Sequence, residues 1–122
     1  MPPERSWRMR VDDILRAAEE ARQLVDGFTY DRFAQDLRTN RAVTATIAII
    51  GEASRHIPEE VKTAHPEVPW PQMYGMRNII VHSYWHIDLE VVWHTVTKDV
   101  PQLVAPLRAL LDAEEPDEGT GP

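Results

Sequence analysis

The sequence predicts an all-α bundle of four to five helices. Apolar residues recur every three or four positions through three long segments, which is the period of an amphipathic helix. The chain contains no glycine-rich phosphate loop. Its 122 residues are enough for one domain with a single hydrophobic core.

The first predicted helix has its apolar stripe from Val11 onward and ends at Gly27, because glycine commonly terminates helices. The stripe residues fall at helical spacing: Val11, Ile14, Leu15, Ala18, Val25 and Phe28. Thr29 or Asp31 can cap a short second helix that runs through Leu37.

Asn40 is the predicted cap of the third helix, whose apolar face holds Val43, Ile47 and Ile50. The β-branched residues of AVTATIAII would also allow a strand. The interleaved alanines and the uninterrupted continuation through Gly51 and Glu52 favour a helix.

Prolines mark the helix starts in the second half of the chain. Pro58 suits the first position of a short turn, and Pro71 suits the start of a helix through Tyr84. Asp88 starts the last helix, which Pro101 and Pro106 are expected to kink. The apolar residues of this last helix are Val92, Val96, Val100, Leu103, Leu107 and Leu110.

Charge and composition divide the chain into a helical domain, residues 1–111, and an acidic tail, residues 112–122, with the composition of a disordered segment. The net charge is −7, but five of the 20 acidic residues lie in this tail, so a local basic cleft is permitted in the body. The chain has no cysteine, which excludes disulfides and cysteine zinc sites. Without a membrane-length apolar run or a signal peptide, the protein is expected to be cytoplasmic and not membrane-bound.

The stretch RNIIVHSYWH gathers polar side chains around an aliphatic run, with Arg77, Asn78, His82 and Tyr84 as the candidate site residues. In a helix Asn78 and His82 share one face, whereas Arg77 lies about 140° from His82. Arg77 can then reach the same ligand only by curling its long side chain or by acting across an interface. A symmetric dimer would bring two copies of each group together.

Such a set suits cleavage of RNA without a metal. A base must take the proton of the ribose 2′-OH, an acid must protonate the leaving 5′-oxygen, and a cation must stabilise the charge on the phosphorane. Histidine can fill either proton role near neutral pH, and arginine matches phosphate. Because the 2′-OH is the nucleophile, RNA and not DNA is the expected substrate.

Two other interpretations of the stretch stay open. An arginine and a histidine at this spacing in a helical protein are more often structural than catalytic. A metal site is also possible, because His82 and His86 are four residues apart and His94 lies one helix further on, although no glutamate follows His82 as in a zinc protease helix.

Residues outside the stretch are given structural interpretations. Gly51 is predicted to permit close packing of a helix. Glu52 is either the partner of an arginine or a helix-edge carboxylate, and we favour the second. His56 and His65 flank the short turn and are predicted to lie on the surface.

The pattern R-x4-H-x-Y in RNIIVHSY resembles the HepT-like toxins, a branch of the HEPN superfamily (higher eukaryotes and prokaryotes nucleotide-binding). The segments IIGEAS, PWPQMYGMRN, HSYWHIDLEVVW and DVPQL resemble the same family and occur in the expected order. The resemblance therefore spans roughly Arg8 to Leu111.

This resemblance implies a HEPN-type up-and-down bundle that forms a homodimer. It implies a metal-independent endoribonuclease, the toxin of a type VII-like toxin–antitoxin system, with Arg77 binding the phosphate, His82 performing acid/base catalysis and Asn78 supporting the polar site. The cognate antitoxin would be an MntA-like nucleotidyltransferase that places AMP on Tyr84. No cofactor or metal is implied for the toxin itself. The alternative is a non-catalytic module in which the same residues bind a nucleotide or the transferase.

Overall fold

A computed structural model describes the backbone of residues 3–81 and 87–114, and the side chains of residues 7–79 and 87–114. The helices are α1 (Pro3–Val25), α2 (Tyr30–Gln35), α3 (Leu37–Ser54), α4 (Glu59–Ala64), α5 (Trp70–Gly75), α6 (Asn78–Val81), α7 (Leu89–His94) and α8 (Pro101–Ala113), and a π-helical turn, Thr95–Asp99, joins α7 to α8. Neither described range contains a strand. The all-α prediction is confirmed.

Helix α3 lies at the centre of the fold, where it packs against α1, α2, α5, α6 and α7. All three residues of its predicted apolar face are buried, as are Val11 and Ile14 of α1. The six predicted apolar positions of the last helix are also buried. Burying each of these large aliphatic side chains stabilises the fold by about 1.5–3 kcal/mol. The apolar stripe of each helix therefore determines which of its faces packs into the core.

Two predicted helix starts are confirmed by their caps. The hydroxyl of Thr29 accepts a hydrogen bond from the backbone N–H of Arg32 at 3.2 Å. The carboxylate of Asp88 accepts from the N–H groups of Glu90 and Val91 at 3.1 and 3.3 Å. Each cap supplies an acceptor to N–H groups that have no partner within the helix.

The predicted cap at Asn40 is wrong. Helix α3 starts one turn earlier, where the carboxylate of Asp36 accepts from the N–H of Thr39 at 3.0 Å. Asn40 lies inside the helix and is buried, and its amide donates to the carbonyl of Phe33 at the end of α2 at 3.2 Å. It therefore adds a second donor to a carbonyl at the end of α2, which also accepts from the N–H of Asp36 at 3.2 Å.

The single helix predicted from Pro71 to Tyr84 is also wrong in its first half. Helix α5 ends at Gly75 and α6 starts at Asn78. Between them the N–H of Arg77 donates to the carbonyl of Tyr74 at 3.3 Å, which is the tighter bond of a turn. Glycine is a poor helix former, which favours the break at this point. The rest of the predicted helix, residues 82–84, lies outside the described part.

The last helix is interrupted just before Pro101. There the N–H of Val100 donates to the carbonyl of Thr95 at 2.8 Å, a bond that spans five residues instead of four. Pro101 has no N–H to donate, and it takes the first position of α8, where none is needed. Pro106 lies inside α8, which continues to Ala113.

Within the two described ranges, no helix combines the length and the apolar character needed to cross a membrane. Helix α8 extends two residues past Leu111, the predicted end of the domain, and residues 115–122 lie outside the described part. The division into residues 1–111 and 112–122 stays a prediction.

His65 is buried with only 8% of its surface exposed, so its predicted surface position is wrong. Its Nε2 lies 2.9 Å from the carboxylate of Glu114, and its Nδ1 lies 3.2 Å from that of Glu67. The hydrogen bond to Glu114 raises the pKa of His65 above its usual value, burial opposes the rise, and Glu67 adds to it. This contact joins the end of α8 to the loop between α4 and α5.

The His65 contact should make stability depend on pH. Because the pKa of His65 is raised in the folded protein, the contact adds fully to the free energy of unfolding at pH values below the unfolded pKa of about 6.5. This contribution is lost as the pH rises through the folded pKa of His65. We expect Glu114→Gln to lower the free energy of unfolding by about 0.5–1 kcal/mol more at pH 5.5 than at pH 9. Denaturant titration at both pH values measures this difference, with the exposed Glu60→Gln as control. Equal losses at both pH values would contradict the assignment.

Candidate functional site

Arg77 lies in the turn between α5 and α6 and faces the C-terminal half of α3. Its Nε is 3.1 Å from Oε1 of Glu52, and 39% of its side chain is exposed. The ion pair therefore orients the guanidinium but leaves it accessible to a ligand. Asn78, the next residue, is exposed at the start of α6.

Gly51 allows this turn to approach α3. A Cβ added to Gly51 would lie 2.9 Å from the Cα of Arg77 and would also clash with its backbone nitrogen. The prediction that Gly51 permits close packing is confirmed, and the neighbour it accommodates is the backbone of Arg77.

Glu52 is surrounded by three potentially cationic side chains. Its Oε1 lies 3.6 Å from Nη1 of Arg55, and its Oε2 lies 3.4 Å from Nε2 of His56. Partial burial acts to raise its pKa, but contact with His56 and the charges of Arg55 and Arg77 hold the pKa below its usual value. The prediction of a helix-edge carboxylate without an arginine partner is wrong, although half of the side chain remains exposed.

We call Glu52, Arg55, His56 and Arg77 the Glu52 cluster. With Glu52 ionised, two arginines face one carboxylate, so the cluster has a formal charge of +1 without counting His56. Tyr74 extends it, since its ring centroid is 6.0 Å from the guanidinium carbon of Arg55 and the residue is about half exposed. The surface is therefore locally positive and carries an accessible aromatic ring, a combination that suits phosphate and bases.

The candidate residues are only partly placed. Arg77 and Asn78 are described, whereas His82 and Tyr84 lie outside the described residues, so the joint site stays a prediction. Arg55 and His56 were not assigned a role from the sequence. Their spacing of three and four residues from Glu52, which puts them on the same helix face, was the available signal.

Among the described residues, no group of three His, Asp or Glu side chains could hold a metal ion. Two members of the possible metal set, His82 and His86, lie outside this part of the chain. The third, His94, is exposed and lies 3.7 Å from Asp99.

Gly51→Ala should displace Arg77 from Glu52. The added methyl must move the backbone of the α5–α6 turn, so we expect a loss of about 1–3 kcal/mol in the free energy of unfolding. Gly75→Ala is the matched control, because a Cβ there meets nothing within 4 Å. Thermal or denaturant unfolding of both variants tests this, and a Gly51→Ala protein as stable as the control would contradict it.

Comparison with known proteins assigns the chain to a family. A family model described as "Ribonuclease HepT-like" matches residues 14–110. "Probable ribonuclease HepT" from Thermococcus cleftensis is 38% identical over 99 residues, covering 81% of this chain and 90% of the relative. A "Putative RNase" from Methanocaldococcus jannaschii is 30% identical over 119 residues, covering 97% of this chain and 98% of the relative. No solved structure matches the chain. The chain belongs to the HepT-like ribonuclease family.

Proposed function

We propose that this protein is a metal-independent endoribonuclease, the toxin of a type VII-like toxin–antitoxin system acting in the cytoplasm. The observation that carries the proposal is the position of Arg77, the first residue of the R-x4-H-x-Y pattern, in a locally positive and accessible cluster. Membership of the HepT-like ribonuclease family supports the substrate class.

Arg77 is suited to bind the scissile phosphate. Its contact with Glu52 engages Nε, and a guanidinium has further donors on its two terminal nitrogens. A planar group fixed along one edge can present those donors to two phosphate oxygens at once. Glu52 would thus position Arg77, and Arg55 would add positive charge beside it.

His82 would perform the proton transfers. A histidine takes the proton of the 2′-OH as that oxygen attacks the phosphorus, and a second histidine gives a proton to the 5′-oxygen as its bond to phosphorus breaks. The products are a 2′,3′-cyclic phosphate and a free 5′-OH. Since the pattern holds one such histidine, a homodimer with a composite site would supply both, with Asn78 supporting the polar groups.

Tyr84 would be the point at which activity is switched off. An MntA-like nucleotidyltransferase would join the tyrosine oxygen to the α-phosphorus of ATP, releasing pyrophosphate and a proton. The attached AMP adds a bulky anion two residues from His82, where it would repel and obstruct RNA.

Cleavage of labelled RNA by protein purified without its antitoxin tests the catalytic proposal. In EDTA we expect cyclic phosphate ends from the wild type and a loss of at least about 100-fold for His82→Ala, since general acid/base catalysis contributes about 10²–10⁴-fold. Arg77→Ala should lose about 100-fold or more through weaker charge stabilisation. Lys98→Ala, a cation on the π-helical turn, serves as control.

Intact mass must first show that Tyr84 carries no AMP. Unmodified protein that leaves both tRNA and mRNA intact, or cleavage that His82→Ala does not reduce, would overturn the proposal. Tight nucleotide binding without RNA turnover would favour the non-catalytic module instead.

The regulatory proposal is tested with ATP, magnesium and the nucleotidyltransferase. We expect the mass of the wild type to rise by one AMP or more while RNA cleavage is lost. Tyr84→Phe should gain no AMP and keep its cleavage, and Tyr30→Phe, which removes a tyrosine of α2 outside the Glu52 cluster, should behave like the wild type. Modification of Tyr84→Phe to the same extent would show that the acceptor is elsewhere.

A further inference from the structure

A groove of about 300 Å³ lies between α1 and α3, on the side where Glu52 faces solvent. From α1 it is lined by Arg10, Asp13, Arg16, Ala17 and Glu20, and from α3 by Ile49, Glu52 and Ala53. Because Glu52 also contacts Arg77, the groove borders the Glu52 cluster.

The charges on the α1 side of the groove alternate in sign. Arg10, Asp13, Arg16 and Glu20 follow one another along one face of the helix and are all exposed. At a rise of about 1.5 Å per residue the row is about 15 Å long. We call it the α1 charge row.

The α1 charge row is complementary to itself in the antiparallel direction. If two copies of α1 meet about a two-fold axis near residue 15, Arg10 faces Glu20 of the second copy and Asp13 faces its Arg16. Symmetry repeats both pairs, so four pairs of opposite charge form. A parallel arrangement would instead set Arg10 against Arg10 and Glu20 against Glu20.

The floor of the groove suits a protein surface. Ile49 is 52% exposed, while Ala17 and Ala53 are small and buried, so a ridge from another helix could pack over them and cover an isoleucine. The lining holds two arginines against three carboxylates, which disfavours RNA as the occupant.

We propose that the α1–α3 groove is the surface on which a second copy of this chain docks, with the two α1 helices antiparallel. This inference rests on the homodimer of the proposed function and names the face that forms it. Docking here would bring the Glu52 cluster of each copy to the rim of the interface, since Glu52 belongs to both the groove and the cluster. The alternating charges select the antiparallel orientation more than they add affinity, because exposed ion pairs contribute little.

Charge reversal at both ends of the row gives a test that does not depend on activity. Arg10→Glu sets two pairs of carboxylates face to face in its own dimer, and Glu20→Arg sets two pairs of arginines face to face. We expect each to raise the dimer Kd about 10-fold or more, measured by sedimentation at several concentrations. Mixing the two variants should restore wild-type association, because every pair in the mixed dimer is again of opposite charge.

The double variant Arg10→Glu/Glu20→Arg should dimerise like the wild type for the same reason. Glu60→Arg on α4 controls for charge reversal outside the groove, and thermal unfolding confirms that each variant is folded. A wild type that stays monomeric, or a dimer that neither single variant weakens, would overturn the docking surface. Failure of the mixture to restore association would overturn the antiparallel pairing.

RNA cleavage, measured on the same samples, separates this inference from the proposed function. If the mixed variants associate like the wild type but the unmodified wild type does not cleave RNA, the docking surface is supported and the ribonuclease activity is excluded. If the wild type cleaves RNA but dimerises through another face, the ribonuclease activity is supported and the docking surface is excluded.

Discussion

The contact between the backbone of Gly51 and that of Arg77 is the constraint on which the candidate site depends. Because Gly51 has no side chain, the turn between α5 and α6 can lie directly on α3. Met73 near the end of α5 and Met76 in the turn are both buried in the core. Arg77 consequently contacts Glu52 because two segments about 25 positions apart in the chain pack together. The position of its guanidinium therefore depends on how the α5–α6 turn packs against α3.

Periodicity and local capping were sufficient to predict the parts of the fold that depend on neighbours in sequence. The stripes of α1, α3 and α8 and the caps at Thr29 and Asp88 are of this kind. Two of the wrong predictions involve a partner that a local pattern cannot show: Asn40 donates to the end of another helix, and His65 contacts Glu114, which lies 49 residues away in the chain. In the candidate site, residue types led to the proposal of Arg77 and Asn78, whereas Arg55 and His56 were recognised through their distances from Glu52.

The distribution of charge explains how an acidic chain can offer a surface to RNA. Five of its carboxylates follow Leu111, and others lie opposite a cation, as in the pair of Glu19 with Arg22. The Glu52 cluster is left with more arginines than carboxylates, while the neighbouring groove has more carboxylates than arginines. Two adjacent surfaces with different charge balance suit different partners.

The π-helical turn before Pro101 has a consequence for comparing this chain with its relatives. A π turn contains one residue more than the α-helical turn it replaces, yet Val92, Val96 and Val100 on this segment are all buried. A relative that lacks one residue between 95 and 99 could continue as a regular α-helix and keep the same face toward the core. Alignments in this segment should therefore allow a gap of a single residue inside a helix, a position at which gaps are normally penalised.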